Sequence, residues 1–138
     1  MQDRPETFDL AITVGPDDID LMGHVNNLVY LRWVQDVAVA HWTAGAHPDD
    51  VESLLWVITR QEIDYKRPAF EGDEVIARTW VGLARPRAFD RHTEILRARD
   101  GKTLAQARTV WCPIDRETMR PVDVSPRVRE RFSIPAEG

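Results

Sequence analysis

Residues 26–43 read Asn26-Asn-Leu-Val-Tyr-Leu-Arg-Trp-Val-Gln-Asp-Val-Ala-Val-Ala-His-Trp-Thr43, and the placement of apolar side chains in this stretch decides the fold. An Asn at its start is a good helix cap, because the side-chain oxygen accepts a bond from a free N–H of the first turn. Gly45 stands beyond its end as a stop. Leu28, Val29, Tyr30, Leu31, Trp33, Val34, Val37, Ala38, Val39, Ala40 and Trp42 lie nearly all around the helix. The polar stripe is narrow, with Arg32 and Asp36 at the i, i+4 spacing of a helical ion pair. A helix apolar on most faces must be surrounded by other structure. This is the one long helix of a 138-residue chain, so the pattern predicts a helix wrapped by a curved sheet.

The flanking segments supply that sheet. Phe8 to Val14 alternates apolar and polar residues and ends at Gly15-Pro16. After the helix come four β-rich segments: Ser53 to Tyr65, Val75 to Leu83, Arg87 to Arg99, and Lys102 to Ile114. Asp100-Gly101 is a strong hairpin signal between the last two. Alternation along the first assigns Leu55, Val57, Thr59, Gln61, Ile63 and Tyr65 to one face, and Leu54, Trp56, Ile58 and Arg60 to the other. The small residues Ala105, Ala107 and Thr109, in phase with Trp111, allow a helix to pack closely. Ser125 caps a short final helix to Phe132, with Pro126 at its first position. Both faces of the Ser53–Tyr65 strand carry apolar residues, so one covers the helix and the other predicts self-association.

Composition bounds the function. One domain spanning residues 1–138 fits the length. The single cysteine, Cys112, excludes an intrachain disulfide framework and multi-cysteine metal sites. The net charge of −5 argues against a dedicated nucleic-acid binder. No run approaches the roughly 18 apolar residues of a membrane span, and the polar, acidic start has no signal-peptide character, so the expected setting is cytoplasmic. Residues 1–74 hold 5 basic and 15 acidic side chains, whereas residues 75–138 hold 13 and 8. Of the bases, 16 are Arg, whose planar fork suits phosphate and carboxylate groups.

The chemistry-bearing stretch is Asp18-Ile-Asp-Leu-Met-Gly-His-Val-Asn-Asn-Leu-Val-Tyr-Leu-Arg-Trp33. It resembles the signature of the 4-hydroxybenzoyl-CoA type of hotdog-fold thioesterases, and the His-Val-Asn-Asn segment of plant acyl-carrier-protein thioesterases. Glu62-Ile-Asp-Tyr-Lys-Arg-Pro68 and Gly72-Asp73-Glu74 are similar to the strand and turn these proteins carry after their helix. The resemblance spans roughly Phe8 to Ile114. It implies an α+β hotdog fold, a long central helix held in a curved antiparallel β-sheet, assembled as a homodimer or homotetramer. It implies hydrolysis of an acyl- or aroyl-CoA, or acyl-ACP, thioester. Coenzyme A then enters only as part of the substrate, with no cofactor, metal, nucleic acid or membrane partner.

By the same resemblance, Asp20, three positions before Gly23, is the catalytic carboxylate. His24 is its companion, and Gly23, Asn26, Asn27 and Tyr30 are substrate-binding candidates. The plant pattern has asparagine where this chain has Met22, which favours the acyl-CoA branch. Thioester hydrolysis needs an activated water or a carboxylate nucleophile, plus stabilisation of an oxyanion. The free N–H groups and positive dipole end of the helix start suit the second task. Asp20 as base and Asp20 as nucleophile both remain open. His24 orients Asp20, binds substrate or bonds to nearby backbone, and Asp18 is a weaker carboxylate candidate.

Two other activities are weighed. A hotdog enoyl-CoA hydratase or dehydratase carries an Asp-x-Asn-Pro-x-His pattern, from which this chain departs at Met22, Gly23 and His24. A non-catalytic acyl-binding module is the other alternative, and the retained Asp20 argues against it. Arg67, Arg85, Arg87 and Arg91 are candidate contacts for coenzyme A phosphates, and Trp56 and Trp80 for an acyl or aryl pocket. Asp90, His92 and Glu94 share one strand face, read as solvated. His41 and His47 have no metal-site spacing, and Cys112 is read as packed.

Overall fold

A computed structural model describes residues 6–133. β1 (Phe8–Thr13) leads through a 3-10 turn at Pro16–Asp18 to α1 (Asn27–Gly45) and a short α2 (Pro48–Ser53). Four strands follow, β2 (Leu54–Tyr65), β3 (Glu74–Arg85), β4 (Ala88–Arg97) and β5 (Thr103–Asp115), and α3 (Pro126–Phe132) closes the described chain. The strands form one sheet in the order β1-β3-β4-β5-β2, with every neighbouring pair antiparallel. α1 lies across β1, β3 and β4. This is the α+β hotdog arrangement that the sequence led us to expect.

Alternation places the core. Val75, Ala77, Thr79 and Val81 of β3 are buried, as are Phe89, Arg91, Thr93 and Ile95 of β4. Opposite them α1 buries Val29, Tyr30, Trp33, Val34, Val37, Ala38 and His41, a stripe at helical spacing. Ala105 on β5 belongs to this core, so its small side chain does face the helix. A second cluster, Val81, Phe89, Val124, Val128 and Phe132, seats α3 against the far end of the sheet. Ser125 caps α3 by accepting from the Val128 N–H at 3.2 Å.

Several sequence expectations change. α1 is not wrapped on all sides: Leu28 is 71% exposed and Val39 56%. Gly45 does not stop the helix by a left-handed turn but forms its last residue, and Ala46 follows in an extended conformation. A Cβ on Gly45 would lie 3.0 Å from the Arg131 guanidinium and 3.1 Å from the Phe132 ring, so close packing of α3 explains the glycine. Arg32 pairs not with Asp36 but with Asp18, at 2.9 Å. β2 carries a bulge between Ile58 and Arg60. Ile58 faces Trp111 before it, whereas Gln61, Ile63 and Tyr65 face Thr109, Ala107 and Ala105 after it. The alternation therefore changes phase at Thr59, and the two faces assigned from sequence each combine halves of both.

Candidate active site

The loop into α1 folds back on itself at Asp20. Ile19 and Val25 form an antiparallel bridge. The Asp20 N–H donates to the His24 carbonyl at 2.8 Å, and the Gly23 N–H donates to the Asp20 carbonyl at 3.1 Å. Gly23 permits this turn through its φ of +81°. One carboxylate oxygen of Asp20, Oδ1, accepts the N–H groups of Met22 at 2.8 Å and His24 at 3.3 Å. The other, Oδ2, has no hydrogen-bond partner among the described residues. The turn thus fixes the carboxylate while leaving one oxygen available.

Asp18 is committed differently. Its Oδ1 meets Arg32 and its Oδ2 accepts the Gly15 N–H at 2.9 Å. Burial pushes its carboxyl up, but the Gly15 N–H and the Arg32 guanidinium outweigh burial and hold it below the usual carboxylate range. With both oxygens engaged, Asp18 ties the loop to α1.

Asn26 caps α1. Its Oδ1 accepts from the Leu28 N–H at 2.9 Å, and its carbonyl accepts from the Val29 N–H at 2.9 Å. The Asn27 N–H is left without a partner among the described residues, the orphan donor that a helix start provides. The Asn27 carbonyl accepts the Tyr65 hydroxyl at 3.3 Å. Tyr30 is buried and its hydroxyl accepts the Ala69 N–H at 3.1 Å, which pins the loop after β2 to the helix. The His24 ring stands edge-on to Phe70 at 5.4 Å. Only the backbone N–H of His24 bonds to the Asp20 carboxylate.

Asp20, Met22, His24, Asn26, Asn27 and Tyr30 line one side of a cleft of about 440 Å³, and Tyr65, Lys66, Arg67 and Pro68 line the other. Gly23 is not part of this lining, and its place is in the turn. The cleft brings together a held carboxylate, an unpaired helix N–H and two cationic side chains. Sequence reading missed Tyr65 and Lys66, although both lie in the Glu62–Pro68 stretch that carried part of the resemblance.

Two of the other arginine candidates are held in ion pairs, and the third is buried. Arg85 pairs with Asp90 at 3.2 Å and Arg87 with Asp123 at 2.8 Å. Arg91 is 4% exposed and faces the core, because it lies in phase with Phe89 and Ile95, so it is withdrawn as a surface phosphate contact. Asp90 is not solvated as expected: it is buried and held by Arg85 and Arg108. Trp80 stacks on His92 at 5.6 Å. Among the described residues, no three His, Cys, Asp or Glu cluster as a metal site would require. Nor is any described helix long and apolar enough to cross a membrane. Trp56 lines a second cavity, with Trp42, Phe89 and Trp111.

Comparison with known proteins bears on the family and the fold. The profile of the Thioesterase-like superfamily matches residues 14–132. A thioesterase from Thermus thermophilus, solved in complex with coenzyme A and Zn, superposes with a TM-score of 0.78 at 25% identity, over 93% of this chain and 97% of that one. A 1,4-dihydroxy-2-naphthoyl-CoA thioesterase from Synechocystis shares the fold at TM-score 0.78 and 18% identity, over 91% and 95% of the two chains. A chloroplastic palmitoyl-acyl carrier protein thioesterase from Gossypium hirsutum is 29% identical over 108 residues, which is 72% of this chain and 26% of that protein. The matches span about a fifth to a quarter of the length of the curated plant relatives.

Proposed function

The chain belongs to the thioesterase-like superfamily, and from that premise we propose that it hydrolyses an acyl- or aroyl-thioester to the free acid and the carrier thiol. One observation carries the reading: the cleft holds a carboxylate oxygen without a partner among the described residues, on Asp20, beside a helix-start N–H equally without one, on Asn27. Asp20 removes a proton from a water that attacks the thioester carbon, or attacks that carbon itself to form an anhydride that water then opens. In either route the carbonyl oxygen gains negative charge, and the Asn27 N–H and the helix dipole stabilise it. Collapse of the tetrahedral intermediate breaks the carbon–sulfur bond; on the water route the proton that Asp20 took passes to the departing thiolate, and on the anhydride route the thiolate takes its proton from solvent. His24 helps by donating its backbone N–H to the Asp20 carboxylate.

Lys66 and Arg67 at the cleft favour a substrate with a phosphate. Coenzyme A and acyl carrier protein share that feature, and the Thermus relative was solved with coenzyme A. The outer edge of β2 has no strand partner among the described residues, and Leu28 and Val39 of α1 are uncovered. A homodimer joined along β2 would close the sheet edge and cover these side chains.

Free-thiol release from a panel of acyl- and aroyl-thioesters tests the activity, and Asp20→Asn tests the mechanism. The amide oxygen of Asn accepts the same Met22 and His24 N–H groups, so the turn survives while the basic oxygen is lost. The rate is expected to fall by about 10²–10⁴-fold with unchanged melting. Unaltered turnover in D20N removes Asp20 from the chemistry.

A further inference from the structure

Beneath the C-terminal half of α1 lies a second cavity of about 290 Å³, walled by Trp42, Trp56, Phe89 and Trp111. That is room for roughly ten waters at about 30 Å³ each, or for one phenyl-sized group. Arg91 also lines it, although this residue is buried. Its Nη1 donates to His41 Nδ1 at 3.0 Å and to Thr79 Oγ1 at 3.2 Å. The Nε and Nη2 donors hold no partner among the described residues. The lining contains no acidic side chain.

The surrounding charges do not neutralise Arg91. His41 accepts at Nδ1 and so carries its proton on Nε2, as a neutral ring. Beyond it, Glu6 lies 3.7 Å from that nitrogen and is itself paired with Arg131 at 2.9 Å. Asp90, next along the strand, points to the opposite face, where Arg85 and Arg108 hold it. Burying a cation without an anion is costly, and burying it with one restores much of the loss. The Trp56 indole N–H is a further buried donor in the lining without an acceptor among the described residues.

We propose that this cavity is a carboxylate-binding site, in which Arg91 takes the carboxylate of a ligand whose short apolar or aromatic body fills the space between the tryptophans. Two sources share this chemistry. One is a carboxylate at the far end of the substrate's acyl group, which rests on the hydrolase reading and on the β2 dimer. β2 begins at this cavity, with Leu54 and Leu55, and ends at the Asp20 cleft, with Tyr65. Antiparallel pairing of two β2 edges therefore sets one chain's cavity beside the other chain's cleft. The second source is a free carboxylic acid, which needs neither assumption.

Calorimetric titration of the full chain with 3-phenylpropanoate and with 3-phenylpropanamide tests the site directly. The acid is expected to bind about 10- to 100-fold tighter than the amide, the worth of a hydrogen-bonded charge. Arg91→Met is expected to abolish the difference. A second arm compares kcat/KM for hexanedioyl-CoA and hexanoyl-CoA. A preference for the former that R91M removes places the carboxylate on the acyl group. Equal rates combined with selective binding of the free acid assign the site to a free ligand. Equal binding of acid and amide by the unaltered protein overturns the proposal, even if R91M fails to fold. The titration is decisive whether or not any thioester is hydrolysed, so failure of the hydrolase reading is separately visible.

Discussion

Replacing Asn27 by proline isolates one N–H group. Asn27 is the first residue of α1, where proline's fixed φ and missing donor are tolerated. Its predecessor, Asn26, has φ −61° and ψ 137°, the extended conformation that a following proline requires. The bonds that cap the helix belong to Leu28 and Val29, and Asn27 supplies Tyr65 only with its carbonyl. N27P should therefore fold and melt as N27A does, while N27A keeps the N–H and controls for the lost side chain. If that N–H receives the oxyanion, N27P loses a donor engaged chiefly in the transition state. Removal of one such donor costs about 10²–10³-fold in kcat, roughly 2.7–4 kcal/mol. The loss should fall equally on kcat and kcat/KM, with KM little changed. Steady-state thiol release measured on both variants reads this directly. Equal kcat for N27P and N27A, with coincident melting curves, would refute the assignment of the oxyanion hole to the start of α1.

Gly23→Ala should cost about 1–2 kcal/mol, because the φ of +81° strains an L-residue while the added methyl meets no atom within 4 Å. A thermal melt should show G23A below the parent and G23N between them, and an unchanged midpoint would contradict the strain. His41 is held at a pKa of about 4 by burial first and by Arg91 second. Between pH 6.5 and 4 the unfolded chain binds the extra proton, so stability falls as pH falls through that window, by at most about 3 kcal/mol at its lower end. Urea unfolding between pH 6.5 and 5 should show this slope in the parent and its loss in His41→Phe, and a slope that survives the substitution rules His41 out. Sedimentation equilibrium should give two or four times the chain mass of 15.9 kDa, and a monomer at micromolar concentration would end the β2 pairing.

Much of this molecule was legible because its signals are local. The caps at Asn26 and Ser125, the turn at Asp100-Gly101 and the alternation of β3 to β5 each lie within a few neighbouring residues. The Asp20 side of the cleft was read from the family resemblance, whose motif is equally local, since Asp20, His24, Asn26 and Asn27 share one loop and helix start. The opposite wall, Tyr65 and Lys66, arrives through sheet pairing, which no local pattern specifies. Arg32 illustrates the same limit: helical spacing offered it Asp36, and the folded loop offered it Asp18. α2 spans six residues, too few to show a helical period in a polar Pro-Asp-Asp run. Arg91 and His41 do carry a sequence signal. Arg91 stands in phase with Phe89 and Ile95, and His41 continues the buried stripe of Val34, Val37 and Ala38, so each polar residue occupies a core position.

The bulge at Thr59 has a consequence for how β2 tolerates change. It acts as a half-step in the strand's phase, without which Leu54 and Trp56 could not lie on the same side of the sheet as Ile63 and Tyr65. Each half of β2 can accept substitutions that respect its own alternation. A deletion of one residue at this point would instead rotate everything downstream by one position, turning Tyr65 away from Asn27 and emptying that wall of the cleft. Length at Thr59 is thus held more tightly than identity, and this position, chemically plain in itself, couples the tryptophan-lined end of the strand to the end that walls the Asp20 cleft.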